Sequence, residues 1–146
     1  MGVTAVAFSP DGKTIASGSG DGALRLRDVG TGETLHKLEE RTRTVSSVAF
    51  SPDSKTLATD GGASIRLWNV SPTSDLRTLP GEAQDVNAVA FASDGKTLAS
   101  GSFDTKVWLW DAATWSVLRK LEGHTTAVES LAFSPDGKII AAGSHA

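Results

Sequence analysis

The sequence predicts an all-β protein built from repeated four-stranded antiparallel sheets. One pattern recurs at steps of about 40 residues, and Phe8, Phe50, Phe91 and Phe133 occupy the same place in its four copies. Within each copy, short alternating apolar runs are separated by turns too short to hold a crossover helix. We count fourteen strands, which form three complete sheets and a two-stranded half sheet.

The first copy shows how each element is predicted. Val3–Phe8 alternates as a strand, and the Ser-Pro-Asp-Gly segment at 9–12 turns the chain because Pro presets φ and Gly tolerates positive φ. Residues 14–17 form the second strand. A glycine-rich turn leads to the third, at 23–27, where apolar and charged residues alternate. Residues 33–38 complete the sheet.

The later copies repeat this order over residues 45–79, 86–121 and 128–143. No linker separates them, so residues 1–146 are predicted to be a single domain. A sheet with two apolar faces cannot stand alone, and we therefore expect the copies to stack side by side.

Composition argues against several classes of function. Fourteen Lys and Arg against seventeen Asp and Glu give a net charge of −3, which favours neither nucleic acid nor an anionic membrane. With no cysteine, thiolate chemistry is excluded. The apolar runs are too short for a spanning helix, and the first residues do not resemble a signal peptide. These features predict a cytoplasmic protein without membrane contact.

Several motifs resemble those of the WD-repeat β-propeller family. They are the Phe positions with Ser-Pro-Asp-Gly-Lys or a variant of it, the Leu-Ala-Ser-Gly-Ser run at 98–102, the Gly-His pair at 123–124, and the pairs Trp68-Asn69 and Trp110-Asp111. The resemblance covers essentially the whole chain. It implies a ring of four-stranded blades around a channel, and a role in binding other proteins rather than in catalysis.

In that family a His, a Ser or Thr, an Asp and the Trp often form a hydrogen-bonded tetrad. Carried over by position, no copy here has all four members. The first has Ser17 and Asp21 with Arg27 at the Trp position, and the second has Arg41, Thr59 and Trp68. The third has Glu82, Ser100, Asp104 and Trp110, and the fourth has His124 with Ala142.

Three and a half repeats leave two interpretations open. The chain is either part of a longer ring or a self-associating half-propeller, because the family's rings have about 4–8 blades. In the second case, the strand edge at 139–143 is expected to invite pairing with another chain.

Catalytic and metal sites are not predicted. His36, His124 and His145 are spread along the chain without a converging nucleophile or a second metal ligand. The glycine-rich segment 18–22 is followed by a strand, whereas a phosphate-binding loop needs a helix there. We expect neither a metal nor a cofactor.

The candidate partner-binding residues are Phe103, Trp108, Arg41, Arg43, Asn87 and Glu129. Phe103 precedes a turn, and Trp108 stands where other copies have Arg. Trp108 is predicted to be an interface anchor or, alternatively, a cover for the neighbouring blade. The two arginines suit an acidic partner. Asn87 and Glu129 share one first-strand position with Thr4 and Ser46, which is predicted to give the channel mouth a polar collar.

The sequence therefore predicts a rigid, non-catalytic platform for a protein or peptide. The alternative is a building block whose main property is homo-oligomeric ring assembly.

Overall fold

The computed structural model describes residues 2–39, 44–60, 62–71, 73–80 and 85–145, and none of these residues forms a helix. Three four-stranded antiparallel sheets follow each other, and a two-stranded hairpin comes last. The all-β prediction of three complete sheets and a half sheet is confirmed.

Each sheet is a meander in which consecutive strands pair. Sheet 1 contains β1 (Val3–Phe8), β2 (Thr14–Ser19), β3 (Ala23–Asp28) and β4 (Thr34–Glu39). Sheet 2 contains β5 (Val48–Phe50), β6 (Thr56–Asp60), β7 (Ser64–Val70) and β8 (Thr73–Pro80). Sheet 3 contains β9 (Val86–Phe91), β10 (Thr97–Ser102), β11 (Val107–Asp111) and β12 (Val117–Leu121). The terminal hairpin consists of β13 (Val128–Phe133) and β14 (Ile140–Ser144).

The sheets stack through their first two strands. β5 packs against β1 and β2, β9 against β5 and β6, and β13 against β9 and β10. An apolar cluster fills each of the three junctions. The core is thus divided among the junctions, as expected for repeats that bury their faces only against neighbours.

In sheets 1 and 2 and in the terminal hairpin, a serine and an aspartate hold the turn between the first and second strand, whereas sheet 3 has Ala92 in place of the serine and keeps only the aspartate. In sheet 1, the Ser9 hydroxyl donates to Asp11 at 2.6 Å, and Asp11 accepts the Lys13 N–H at 3.0 Å. The hydroxyl bond, followed by the backbone bond, lowers the pKa of the Asp11 carboxyl. The repeated Ser-Pro-Asp motif therefore stabilises the turn, because the aspartate side chain accepts a backbone N–H that the bend leaves without a backbone partner.

Sheet 2 departs from the predicted pattern at its first strand. Its sequence repeat begins at Val45, but β5 begins only at Val48. The three equivalent strands begin at Val3, Val86 and Val128 and contain a register shift after that first residue. The cause lies in the side chain of Asp60, which is described below.

Candidate partner-binding face

Phe103 is an exposed aromatic side chain on a braced turn. It lies between β10 and β11 and is 52% exposed. The next residue, Asp104, accepts hydrogen bonds from the Ser102 hydroxyl, from the Lys106 N–H at 2.9 Å and from the Trp108 indole N–H at 2.9 Å. One carboxylate thus fixes three groups of the turn that carries Phe103.

The same turn is joined to the start of the first strand of sheet 3. The Phe103 N–H donates to the Asp85 carbonyl at 2.9 Å, and β9 begins at the next residue, Val86. Asn87 therefore lies close to this turn. Its side-chain amide donates to the Val128 carbonyl at 3.2 Å, which places Glu129 at the same end of the neighbouring strand. The structure thus brings Phe103, Asn87 and Glu129 to one end of adjacent first strands.

Trp108 is buried, so the structure does not present its ring to a partner. It is 4% exposed, and it stacks against Trp110 with ring centroids 6.2 Å apart. Both rings belong to the apolar cluster that contains Ile65 and Leu67 of sheet 2. Lys120 lies 4.2 Å from the centroid of the Trp108 ring. Of the two interpretations of Trp108, the packing supports the cover for the neighbouring sheet. The ring is not at the surface, where an interface anchor would have to lie.

The first-strand position shared by Thr4, Ser46, Asn87 and Glu129 makes contacts between neighbouring sheets. Thr4 donates to the Val45 carbonyl, and the Ser46 hydroxyl lies 3.5 Å from the Asn87 carbonyl. Asn87 bonds to Val128 in the same way, so each contact spans 41 residues. Three residues that were predicted to form a polar collar, Thr4, Ser46 and Asn87, therefore tie neighbouring sheets together.

Glu129 does not follow that series. Its carboxylate lies 3.1 Å from the Nε2 of His145, and its side chain is 48% exposed. An exposed pair of this kind adds little stability. Arg41 and Arg43 lie outside the described residues, as does Glu82.

Among the described residues, two of the tetrads inferred from the family resemblance are represented by a bond between the Trp and the Ser or Thr. The Trp68 indole donates to the Thr59 hydroxyl at 3.2 Å, and the Trp110 indole to the Ser100 hydroxyl at 3.1 Å. In sheet 3, the turn aspartate does not join its pair, because Asp104 binds Ser102 and Trp108 instead.

The first and fourth copies also differ from the tetrad pattern. In sheet 1, the turn aspartate binds Ser19 rather than Ser17. Near the hairpin, the Nδ1 of His124 lies 2.9 Å from the Ser144 hydroxyl, so a serine two residues after Ala142 supplies the partner.

Asp60 is a site that the sequence reasoning missed. In three copies this position is glycine (Gly18, Gly101 and Gly143), and only the second copy has a side chain there. When the four repeats are aligned, Asp60 is the one carboxylate at a position that is otherwise glycine, and this difference could have identified it.

The Asp60 carboxylate replaces backbone pairing at the start of sheet 2. It accepts the Ser46 hydroxyl, the Ser46 N–H at 2.9 Å and the Ser47 N–H at 3.2 Å. These bonds hold residues that would otherwise extend β5, which explains its late start. Burial raises the pKa of Asp60 to about 6, although the bonds to Ser46 and Ser47 oppose the shift.

A second concave feature lies away from this face. A cleft of about 500 Å³ is lined by the residues Asp11, Lys13, Thr14, Asp28, Leu35, Ser54, Val70 and Ser71. None of these lining residues is a histidine. Within the described ranges, no cluster of three or more His, Cys, Asp or Glu could hold a metal ion. The same ranges contain no helix with the length and apolar character needed to span a membrane.

Comparison with known proteins decides the family. A model of the WD domain, G-beta repeat, matches residues 73–111 and 115–145. A model of the anaphase-promoting complex subunit 4 WD40 domain matches residues 1–53. The chain belongs to the WD40-repeat β-propeller family. Neither WD40 model describes an enzyme, and WD40 domains generally serve as protein-interaction scaffolds.

Solved WD40 structures agree with this assignment. The crystal structure of the RRP9 WD40 repeats superposes with a TM-score of 0.83 at 29% sequence identity, over 88% of this chain and 41% of that one. The structure of U3-55K gives a TM-score of 0.84 at 29% identity, over 88% and 42%. The chain thus spans about two fifths of the length of these relatives. No curated protein matches it at a significant level.

Proposed function

We propose that this WD40 chain is a rigid, non-catalytic platform for a protein or peptide, and that Phe103 is its principal contact. The observation that carries the proposal is a half-exposed phenylalanine on a turn whose geometry is fixed by the Asp104 carboxylate. Aromatic side chains supply much of the energy of protein interfaces. A turn that is already ordered loses little conformational entropy on binding.

The surroundings of Phe103 favour an apolar contact with a polar rim. Lys106 and Glu122 form an ion pair at 3.6 Å close to the turn, and the Lys106 side chain is 34% exposed. Asn87 and Glu129 supply further polar groups at the same end of the strands. Such a face suits a partner that inserts an apolar side chain against Phe103 and places polar groups around it. Arg41 and Arg43 are proposed as additional contacts for an acidic segment of that partner.

A displayed peptide library, selected on the immobilised chain, tests the proposal. Peptides enriched on the wild-type chain are expected to bind Phe103→Ala at least about tenfold more weakly, because truncation of an interface anchor costs about 1–2 kcal/mol or more. Leu118→Ala is the matched control. Leu118 is also an exposed apolar residue, at 56%, but it lies on the outer strand β12. This control should leave binding unchanged.

Two results would refute the platform. Peptide affinity that is equal for the wild type and Phe103→Ala would remove Phe103 from the site. A single-stranded RNA that binds through Phe103, while no peptide is enriched, would assign the aromatic ring to base stacking instead.

A further inference from the structure

The cleft between sheets 1 and 2 has a mixed polar and apolar lining. Its volume is about 500 Å³, which lies within the range of about 300–1,000 Å³ that is typical of ligand sites. Asp11, Thr14, Asp28 and Leu35 line it on the side of sheet 1, and Val70 lines it at the end of β7 in sheet 2.

The cleft does not depend on what precedes sheet 1. Both of its walls belong to consecutive sheets that the structure describes. In sheet 2, Phe50 packs in the apolar cluster against sheet 1. Its equivalent in sheet 1, Phe8, therefore lies on the face that points away from sheet 2. A unit placed before sheet 1 would cover that face and leave the cleft open.

A largely buried hydroxyl in the cleft has no partner. Thr14 is 7% exposed, and on β2 it lies on the same face as Ala16, which packs in the cluster between sheets 1 and 2. The Thr14 N–H donates to the Ser9 hydroxyl at 3.0 Å, but within the described ranges the Thr14 hydroxyl itself forms no hydrogen bond. Because a side chain this buried normally has a partner, the hydroxyl is available to a ligand in the cleft.

Two carboxylates of the cleft each keep a free oxygen. Asp28 lies beside Thr14, because the two residues pair across β2 and β3. The Oδ1 of Asp28 accepts the N–H and the hydroxyl of Thr31, at 2.9 and 3.2 Å. The Oδ1 of Asp11 accepts the Lys13 N–H at 3.0 Å. In both carboxylates, Oδ2 receives no hydrogen bond from the part of the chain that the structure describes, so each can accept one from outside.

The chemistry of the lining favours an arginine side chain. Asp11 and Asp28 are carboxylates, and Lys13 is the one cation among the lining residues, so negative charge is in excess. Leu35, which is 50% exposed, and Val70 add apolar surface. A guanidinium binds a carboxylate through two parallel hydrogen bonds, and its aliphatic stem packs on apolar side chains.

At the next junction, an arginine of the chain itself occupies the equivalent place. Arg77 pairs with Leu67 of β7, and its Nη1 donates to the Thr114 carbonyl at 3.4 Å, in the turn after β11 of sheet 3. The equivalent turn after β7 contributes to the cleft lining. In sheet 1 the residue equivalent to Arg77 is His36, which pairs with Leu26 of β3. His36 forms no hydrogen bond across the cleft to any described residue. A guanidinium thus fits this place at one junction, and the same place is open at the other.

We propose that the cleft binds an arginine side chain of a protein or peptide partner. The guanidinium donates to the Asp28 carboxylate and to the Thr14 hydroxyl, and its stem lies on Leu35. The Asp11 carboxylate adds negative charge and a further acceptor. Asp11 lies in a turn between a first and a second strand, whereas Phe103 lies in a turn between a second and a third, so this site is at the opposite end of the sheets from the Phe103 face.

Two acetylated and amidated tripeptides, Leu-Arg-Leu and Leu-citrulline-Leu, test the proposal. Citrulline has nearly the shape of arginine but carries no charge. Each peptide is titrated into the isotope-labelled chain and followed by NMR. The arginine peptide should give saturable shifts centred on the amides of Thr14 and Asp28. The citrulline peptide should bind about tenfold more weakly or worse, because a charge-assisted hydrogen bond is lost.

Asp28→Asn tests the same contact from the side of the protein. The amide oxygen of Asn can still accept from Thr31, and sheet 2 has Asn69 at the equivalent position, so this variant should keep its fold. It should bind the arginine peptide about tenfold more weakly and bind the citrulline peptide nearly as the wild type does. Asp111→Asn is the matched control. It removes the equivalent carboxylate of sheet 3, which does not line the cleft, and should leave the binding of both peptides unchanged.

Several outcomes would overturn the proposal. Equal affinity of the wild type for the two peptides would do so, and so would equal affinity of the wild type and Asp28→Asn for the arginine peptide. Shifts that centre on Phe103, or that disappear in Phe103→Ala, would place the peptide at the other end of the sheets. The Phe103 platform is tested separately, because Phe103→Ala should leave binding in the cleft unchanged.

Discussion

The buried carboxylate of Asp60 should give the protein an unusual dependence of stability on pH. Its pKa is raised from 3.8 to about 6, chiefly by burial. The folded protein therefore holds this proton more tightly than the unfolded chain does. The resulting stabilisation is fully present below about pH 4 and is lost as the pH rises through about 6.

The substitution Asp60→Asn isolates this effect, because Asn does not titrate while every other carboxyl is kept. A shift from 3.8 to about 6, at about 1.36 kcal/mol per pKa unit, corresponds to about 3 kcal/mol. The unfolding free energy of Asp60→Asn minus that of the wild type should therefore rise by about 3 kcal/mol from below pH 4 to above pH 6. A change in hydrogen bonding at position 60 adds a constant to this difference and leaves its slope unaffected.

Urea unfolding followed by tryptophan fluorescence, repeated across this pH range, measures the difference. Asp53→Asn is the control with the opposite sign. The Ser51 hydroxyl and then the Lys55 N–H lower the pKa of Asp53, so its contribution is lost as the pH falls. For that variant the difference should decrease as the pH rises. A flat profile for Asp60→Asn, or one that falls with pH, would refute the account of Asp60.

Two further predictions concern the junctions and the tryptophan pairs. Gly101→Ala should lower the free energy of unfolding by about 1–3 kcal/mol, because its Cβ would lie 2.5 Å from Val128. Gly2→Ala is the control and should be neutral, because a Cβ there has nothing within 4 Å. Equal melting temperatures for the two variants would contradict the prediction. Trp110→Phe should cost about 1–3 kcal/mol in urea unfolding, because it leaves the buried Ser100 hydroxyl without its partner as well as changing the packing. Adding Ser100→Ala to Trp110→Phe should recover part of that loss. If the losses of the two single variants simply add in the double variant, the bond between Trp110 and Ser100 is unimportant.

The arrangement of strands could be predicted because it depends on patterns that repeat. Alternation, turn residues and the recurring phenylalanine recover three complete sheets and a hairpin, since each copy supplies independent evidence for the same elements. The start of β5 could not be placed in this way. It depends on Asp60, whose carboxylate takes over backbone N–H groups that a strand would use.

The candidate site was harder to predict than the fold. Phe103 is exposed on its turn as the site prediction requires, but Trp108 is not at the surface. Alternation puts Trp108 on the same side as Trp110, and that side faces sheet 2. The equivalent residues Arg25 and Arg66 suggested a solvent-facing position, but both are half-buried in the structure. Which serine a turn aspartate binds depends on side-chain rotamers, and the sequence does not encode these in a simple pattern.

The ties between first strands carry a consequence for biosynthesis. Thr4 finds its acceptor at Val45, and Asn87 finds its own at Val128, in each case 41 residues further along. A ribosome that adds about 5–20 residues per second needs roughly 2–8 s to deliver the segment that locks the preceding one. During this interval each newly synthesised sheet exposes one apolar face, and the nascent chain is then most in need of a chaperone.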